Sequence, residues 1–383
     1  MISEVLHTVS EAFKSEFKDE GIMVFSPGRI NLIGEHTDYN NGFVFPAAID
    51  KGIALMIAKS DRAYSTIVSI DMNETLELNL NALNRIEGHT WKNYCIGVVA
   101  EFLKVNKGLG NFNCVFKGNI PVGSGLSSSA ALENSLAFGC NTLFNLGLTK
   151  LDLIHISQRA EHNYVGVQCG IIDQYASMFG QSDHALFLDC ETLTSEAVFI
   201  DLHAYELILV NSNVKHDLAE SAYNDRYNVC QSISRSLNKT SLREVSFEEL
   251  KTLQTKISAS DFDKGLYILE ENARVLACRE ALKSKDMQAV GQLLFESHKG
   301  QSQMYNVSCE ELDFLVEEAK SMAAVIGARM VGGGFGGCTI NLVLKSGSED
   351  FKKAISKAYQ QKFDRACSIY TVKLSDGTRV VKQ

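Results

Sequence analysis

The tightest limit on the fold comes from the run Pro121-Val122-Gly123-Ser124-Gly125-Leu126-Ser127-Ser128-Ser129-Ala130-Ala131. Before it, Phe112, Cys114 and Phe116 alternate with Asn113, Val115 and Lys117, the period of a strand. After it, the alanines and leucines of Ala130–Leu146 predict a buried helix. Two glycines let the turn between them bend sharply and approach a ligand, since neither carries a side chain. The serines stand where an N-cap belongs, and the amides of a first helical turn have no partners within the helix. Donors of that kind at the positive end of a helix dipole suit an anion, most often phosphate. An ordinary serine-capped turn has the same composition. No Gly-x-x-x-x-Gly-Lys-Ser/Thr loop occurs at this turn, and no Gly-x-Gly-x-x-Gly opens a Rossmann unit there, so a phosphate cradle here belongs to another architecture.

A chain of 383 residues exceeds one typical core, so two lobes are expected. A hydrophobic content of 45% with 22% charged residues is that of a soluble globular protein. The net charge of −9 argues against a general nucleic-acid or anionic-membrane binder, though not against a locally positive pocket. Ten cysteines are scattered singly from Cys95 to Cys367 without a Cys-x-x-Cys pair, which offers neither a zinc site nor a disulfide framework. With no signal-peptide pattern, reduced thiols in the cytoplasm are expected. No apolar run reaches the roughly 18–20 residues of a membrane span.

Taken in order, Val5, Val9, Phe13 and Phe17 mark an N-terminal amphipathic helix, and Ile22–Phe25 a short strand. The stretch Ser26–Asn40 then gathers Arg29, Asn31, Glu35, His36 and Asp38 among glycines and a few apolar residues. Such a density of hydrogen-bonding side chains suits a polyhydroxylated ligand, and Ile30, Leu32 and Ile33 imply partial burial. Strands are expected at Phe43–Ala48, Gly52–Lys59, Ala63–Ile70 and Glu74–Leu80, and a helix at Trp91–Val105. Trp91 and Tyr94, one turn apart, could flank an adenine ring or pack in the core. Leu151–Tyr164 is an amphipathic helix carrying Glu161, which spacing alone assigns to a solvated face. Asp173 follows two isoleucines in a glycine-bracketed loop and is either a partly desolvated carboxylate or a helix N-cap.

Strands at Ala185–Asp189, Ala197–Asp201 and Glu206–Asn211 give way to a mostly helical region from Leu218 to Phe314. A boundary near Leu202–Tyr205 divides the chain into residues 1–202 and 203–383. The cluster Gly332-Gly333-Gly334-Phe335-Gly336-Gly337, leading into the strand Thr339–Leu344, implies a tight turn where backbone meets backbone or a ligand. A helix at Asp350–Phe363 and strands at Ser368–Lys373 and Thr378–Lys382 close the chain.

Pro121–Ala131 and Gly332–Cys338 resemble the phosphate-binding and C-terminal glycine motifs of the GHMP small-molecule kinases. Gly28–Asn40, reading GRINLIGEHTDYN, is more specific: it resembles the galactokinase signature, with Ile30 where valine is common. The similarity extends through Cys169–Gln174 and Asn211–Ser221 to Tyr223 and Arg226, so it spans about residues 24 to 340. It implies a two-lobed α+β fold with the active site in the cleft. The implied activity is phosphoryl transfer from ATP to the C1 hydroxyl of galactose. By the same resemblance Glu35, His36, Asp38, Gly170 and Tyr223 hold the sugar, and Asp173 faces its anomeric hydroxyl beside Arg29. Gly123, Ser124, Gly125, Leu126, Ser127, Ser128 and Ser129 surround the ATP phosphates, while Ser129 and Glu161 hold magnesium. A cytoplasmic monomer without nucleic-acid or membrane partners is expected.

The chemistry agrees with those roles. Phosphoryl transfer needs positioning and stabilised charge more than covalent work. Magnesium takes few protein ligands, so one hydroxyl and one carboxylate beside phosphate oxygens form a reasonable set. No lysine lies in the Gly-Ser loop, which leaves phosphate charge there to amides, hydroxyls and metal. Arg29 can hold Asp173 ionised and offset charge on the transferring group. Asp173 is then the expected general base, or else it only orients the hydroxyl. A different class, a non-catalytic galactose and ATP sensor regulating transcription, is the alternative. The resemblance implies that such sensors lose a Ser-Ala dipeptide from the serine loop, which is uninterrupted here. Within the enzymes, kinases of N-acetylgalactosamine or arabinose remain open.

Overall fold

The computed structural model describes residues 2–88, 90–106, 108–121, 123–214 and 219–382, and of residues 219–223 only the helical backbone. The first half of the chain builds a sheet around one long strand, β3 (Pro46–Lys59), buried along most of its length. On one side it is flanked by β1 (Ile22–Asn31), with the far C-terminal strand beyond it. On the other side come β6 (Phe112–Gly118), β4 (Ser65–Ser69) and β5 (Glu74–Leu78). Pairing is antiparallel except between β4 and β6. A strand covered on both faces must be apolar at odd and even positions alike. Ala54, Met56 and Ala58 accordingly meet Val5, Val9 and Phe13 of α1 (Ile2–Phe17). Ile53, Leu55 and Ile57 face α2 (Trp91–Val105), α3 (Ser128–Phe144) and α4 (Lys150–Ala160) in a larger core. The helix α5 (Ile172–Phe179) follows, and a small sheet joins β2 (Phe43–Val44), β7 (His184–Asp189) and β8 (Thr194–Phe199).

The second lobe repeats the logic on an antiparallel sheet. Its strands run β10 (Val325–Met330), β11 (Cys338–Leu344), β9 (Tyr205–Asn211) and β12 (Ser368–Val372). Leu207, Leu209, Ile340 and Leu342 turn toward α8 (Ala259–Lys283) and α9 (Met287–Gln303). Ile208, Val210 and Val343 turn toward α10 (Glu310–Lys320) and α11 (Ser348–Phe363). The helices α6 (Ala219–Ser236) and α7 (Phe247–Lys251) enclose a satellite core with α8. This is the two-lobed α+β arrangement expected of the sequence. All ten cysteines are free, and no described helix is long and apolar enough to cross a membrane.

Several elements depart from the sequence reading: Pro46–Lys59 is one strand where two were expected at Phe43–Ala48 and Gly52–Lys59, and the strand expected at Ala197–Asp201 lies at Thr194–Phe199. β1 runs six residues beyond Phe25, because Arg29–Asn31 pair with Pro46–Ala48 after a bulge at Pro27. The polar signature therefore begins inside a sheet, not in a loop. The closing strand β13 (Arg379–Val380) is short and joins β1 of the first sheet, so the chain ends on the lobe where it began.

Candidate active site

Beneath the signature lies a cavity of about 340 Å3. Arg29, Glu35, His36 and Asp38 come to it from β1 and the turn that follows, and Gly170 and Asp173 from the entry to α5. Glu161 reaches it from α4's end and Gly332–Gly334 from the second lobe. Arg29 and Asp173 form a two-pronged ion pair at 2.6 and 2.7 Å, and the third guanidinium nitrogen donates to the Gly125 carbonyl. Burial works to lower the Arg29 pKa, yet the Asp173 charge and its hydrogen bonds outweigh it and raise the value. Asp173 sits within the first turn of α5, whose cap position is Ile171, so it is not an N-cap.

The serine loop departs from expectation in an informative way. Ser127 is at the cap position of α3 but in the left-handed region (φ 57°), and its side chain makes no cap bond. Its hydroxyl donates to Asp173 instead. The first-turn amides of α3 are thus not taken by the serine assigned to cap them, which suits an anion at that terminus. Gly123 and Gly125 have φ of 69° and 72°, Leu126 is buried in the core, and Ser124 donates to the Pro121 carbonyl. The second glycine cluster presses on this loop: Cβ atoms added at Gly332 and Gly337 would lie 3.4 and 3.5 Å from the Gly125 and Ser124 carbonyls.

Glu161 is buried, against the solvated face assigned to it. α4 ends at Ala160, but Glu161 keeps helical dihedrals (φ −61°, ψ −47°) and follows Ile154 and Ser157 on the buried side of the helix before a π-helical turn over Glu161–Val165. Burial first and the Asp173 charge second push its carboxyl up to about 7, opposed by a hydrogen bond from Ser129. A hydroxyl on a buried carboxylate amid like charge fits a hard divalent cation, which would relieve that repulsion. Among the described residues no group of three or more His, Cys, Asp and Glu gathers as a metal site. Gln174 bridges Glu161 and the fully buried Glu133 at 3.3 Å each.

At the sugar-signature end, Asp38 is raised to about 7 by burial, then by the charges of Asp173 and Glu35. A Cβ at Gly170 would fall 1.8 Å from Asp38 Oδ2, so glycine is what leaves room for that carboxyl. His36 is lowered to about 3, chiefly by burial, and its Nδ1 lies 2.9 Å from the Tyr39 hydroxyl. Tyr223 falls on α6 with its side chain outside the described residues; the next residue, Asn224, lines the cavity. Trp91 packs edge-on against Phe116 and donates to Glu74, and both Trp91 and Tyr94 lie against the first core.

Sequence reasoning missed the residues that hold the signature turn from the second lobe. Glu271 of α8 accepts from the Gly34 amide, Asn272 from Phe43, and the Tyr267 hydroxyl donates to the Glu35 carbonyl. Arg329 of β10 reaches Glu35 itself. The one available signal was a lone charge in the apolar strand Val325–Met330, since a buried charge requires partners.

Comparison with known proteins agrees with this geometry. Residues 11–59 match the galactokinase galactose-binding signature, 93–181 the N-terminal domain of GHMP kinases and 278–361 their C-terminal domain. A galactokinase from Thermotoga neapolitana is 43% identical over 94% of this chain and 99% of its own. The crystal structure of Lactococcus lactis galactokinase complexed with galactose superposes with a TM-score of 0.93 at 35% identity, covering 98% of this chain and 100% of that one. Methanococcus jannaschii mevalonate kinase, at 18% identity and a TM-score of 0.68 over 94% and 100% of the two chains, shares the fold. Matched in its signature, in both kinase domains and along nearly its whole length, the chain belongs to the galactokinase family of GHMP kinases.

Proposed function

We propose that this protein transfers the γ-phosphoryl group of ATP to the C1 hydroxyl of α-D-galactose, giving galactose 1-phosphate and ADP. The observation that carries this reading is the Arg29–Asp173 pair in a cavity walled by Glu35, His36, Asp38 and Gly170, next to a glycine-serine turn whose cap serine makes no bond to the helix amides. A polyhydroxylated ring meets acceptors along one wall, and its anomeric hydroxyl meets Asp173. Arg29 and Ser127 fix the carboxylate's direction and still leave it lone pairs for a hydroxyl. Asp173 takes the C1 proton as general base, while Arg29 remains to offset charge on the phosphoryl group in flight. In-line positioning supplies the rest, as phosphoryl transfer requires.

The triphosphate lies along Gly123–Ser129, where amides and serine hydroxyls replace the missing lysine. Ser129 and Glu161 would hold a magnesium ion, which when bound supplies positive charge beside the phosphates. Tyr223 is assigned to the sugar through the family motif alone. Residues 1–202, joined by the returning strand β13, form the lobe that carries sugar signature and phosphate loop, and the rest of 203–383 the lobe that closes the cleft.

The uninterrupted Ser127–Ala131 run favours the enzyme over the sensor. Mixing purified protein with ATP and galactose should release ADP in proportion to sugar; no release would leave the sensor. A panel of galactose, N-acetylgalactosamine and arabinose at fixed ATP tests the acceptor, with galactose expected to give the highest kcat/KM.

A further inference from the structure

The guanidinium of Arg329 is fully buried, and no step of the transfer uses it. Its partners are specific. Nε donates to the Leu32 carbonyl at 2.8 Å, and one terminal nitrogen donates to the Met330 carbonyl at 2.7 Å. The other terminal nitrogen is shared between the Asn31 carbonyl and Glu35 Oε1, the latter at 2.8 Å. The same Oε1 accepts the Gly332 amide at 2.9 Å. Strand β10 thus delivers two donors to a single carboxylate oxygen, one from a side chain and one from the backbone just beyond it. Oε1 is committed to the protein; Glu35 lines the cavity, and Oε2 is the oxygen left for a ligand.

The geometry points to Arg329 as a positioning residue that sets sugar specificity by presenting Glu35 Oε2 in one direction, as an acceptor for a single sugar hydroxyl. The inference rests on the galactose-phosphorylating reading of the site. A carboxylate can only accept, so a sugar lacking that hydroxyl leaves Oε2 buried and unmet. A carboxylate free to turn would meet any of several hydroxyls equally poorly. Only a planar fork can hold two carbonyls at the end of β1 and a carboxylate at once, which is why lysine is no substitute. Arg329 also joins the second lobe's sheet to the strand that carries the signature, so the seating of one lobe on the other decides where Oε2 aims.

The test is steady-state kinetics of Arg329→Met, Arg329→Lys, Glu35→Gln and the double variant Arg329→Met/Glu35→Gln, with galactose and each monodeoxygalactose. Loss of one aimed, charge-assisted hydrogen bond should raise the galactose KM by about ten- to a hundredfold. The KM for ATP and kcat should change far less. Discrimination against one particular deoxygalactose should vanish in Arg329→Met and Glu35→Gln alike. The double variant should be no worse than the worse single, since both remove the same contact. Arg329→Lys should recover only part of the sugar affinity. An unchanged galactose KM in folded Arg329→Met, or equal losses for galactose and ATP, overturns the proposal. If Arg329→Met fails to fold, Glu35→Gln decides: normal discrimination among the deoxy sugars in that variant refutes it. Failure of the underlying reading looks different, because then the unaltered protein releases no ADP with galactose.

Discussion

In the proposed reaction Asp173 acts through its direction as much as its charge. Three donors from Arg29 and Ser127 converge on its two oxygens, so an amide at this position keeps the shape but neither accepts a proton nor balances Arg29. Asp173→Asn should lower kcat by roughly 10²–10⁴-fold, the usual contribution of a general base. Galactose should still bind by calorimetry, and near-normal turnover would reject an essential carboxylate. Asp38 makes a second residue-scale test, through pH. Its carboxyl is raised to about 7 in the folded protein, burial being the main cause. The folded state therefore keeps a proton that the unfolded chain has already released, and this contribution to stability is lost as pH rises through 7. Asp38→Asn cannot ionise, so the variant's Tm minus that of the parent should grow between about pH 5 and about pH 8. A difference that stays constant with pH would show that Asp38 titrates normally.

At the scale of elements, close approach of backbones decides what the glycines do. α9 lies so near β10 that a Cβ on Gly291 would fall 2.0 Å from the Ile326 carbonyl, and one on Gly327 would fall 2.5 Å from Gly291 Cα. The contact is helix on strand, so no side chain can rotate away to relieve it. Gly291→Val should push the helix off the sheet and cost about 1–3 kcal/mol or more, read as a lower urea midpoint with an unchanged slope. β10 carries Arg329 next to its last residue, so the same variant should also weaken galactose more than ATP. Retained stability would mean that α9 can shift without strain.

For the whole molecule, the returning C-terminal segment is a fastener. The Ser375, Gly377, Thr378 and Val381 amides donate to Ala48, Gly180, Ser177 and Met23 of the first lobe. Beneath them the buried hydroxyls of Ser26, Ser177 and Thr378 bond one another at 2.9 and 3.0 Å. Thr378→Val keeps the volume but removes the hydroxyl's bonds to Ser26 Oγ and the Ser177 carbonyl, each of which keeps another partner, and should cost about 0.5–1.5 kcal/mol in equilibrium unfolding. No measurable loss would show that the segment rests on its backbone bonds alone.

What the sequence determined by itself was whatever depends on near neighbours in the chain. Trp91–Val105 is a helix over the expected residues because its period is local, and the glycine turns and the signature GRINLIGEHTDYN are visible as strings. Tertiary structure decided which oxygen each polar group serves. Ser127 leaves its cap for Asp173, and Arg329 crosses from the second lobe to Glu35, 294 positions away in the chain. Neither choice leaves a mark on hydrophobic period or turn composition. A buried donor takes whatever acceptor the packing of the cores brings within reach, and that is settled only when the sheets close on each other.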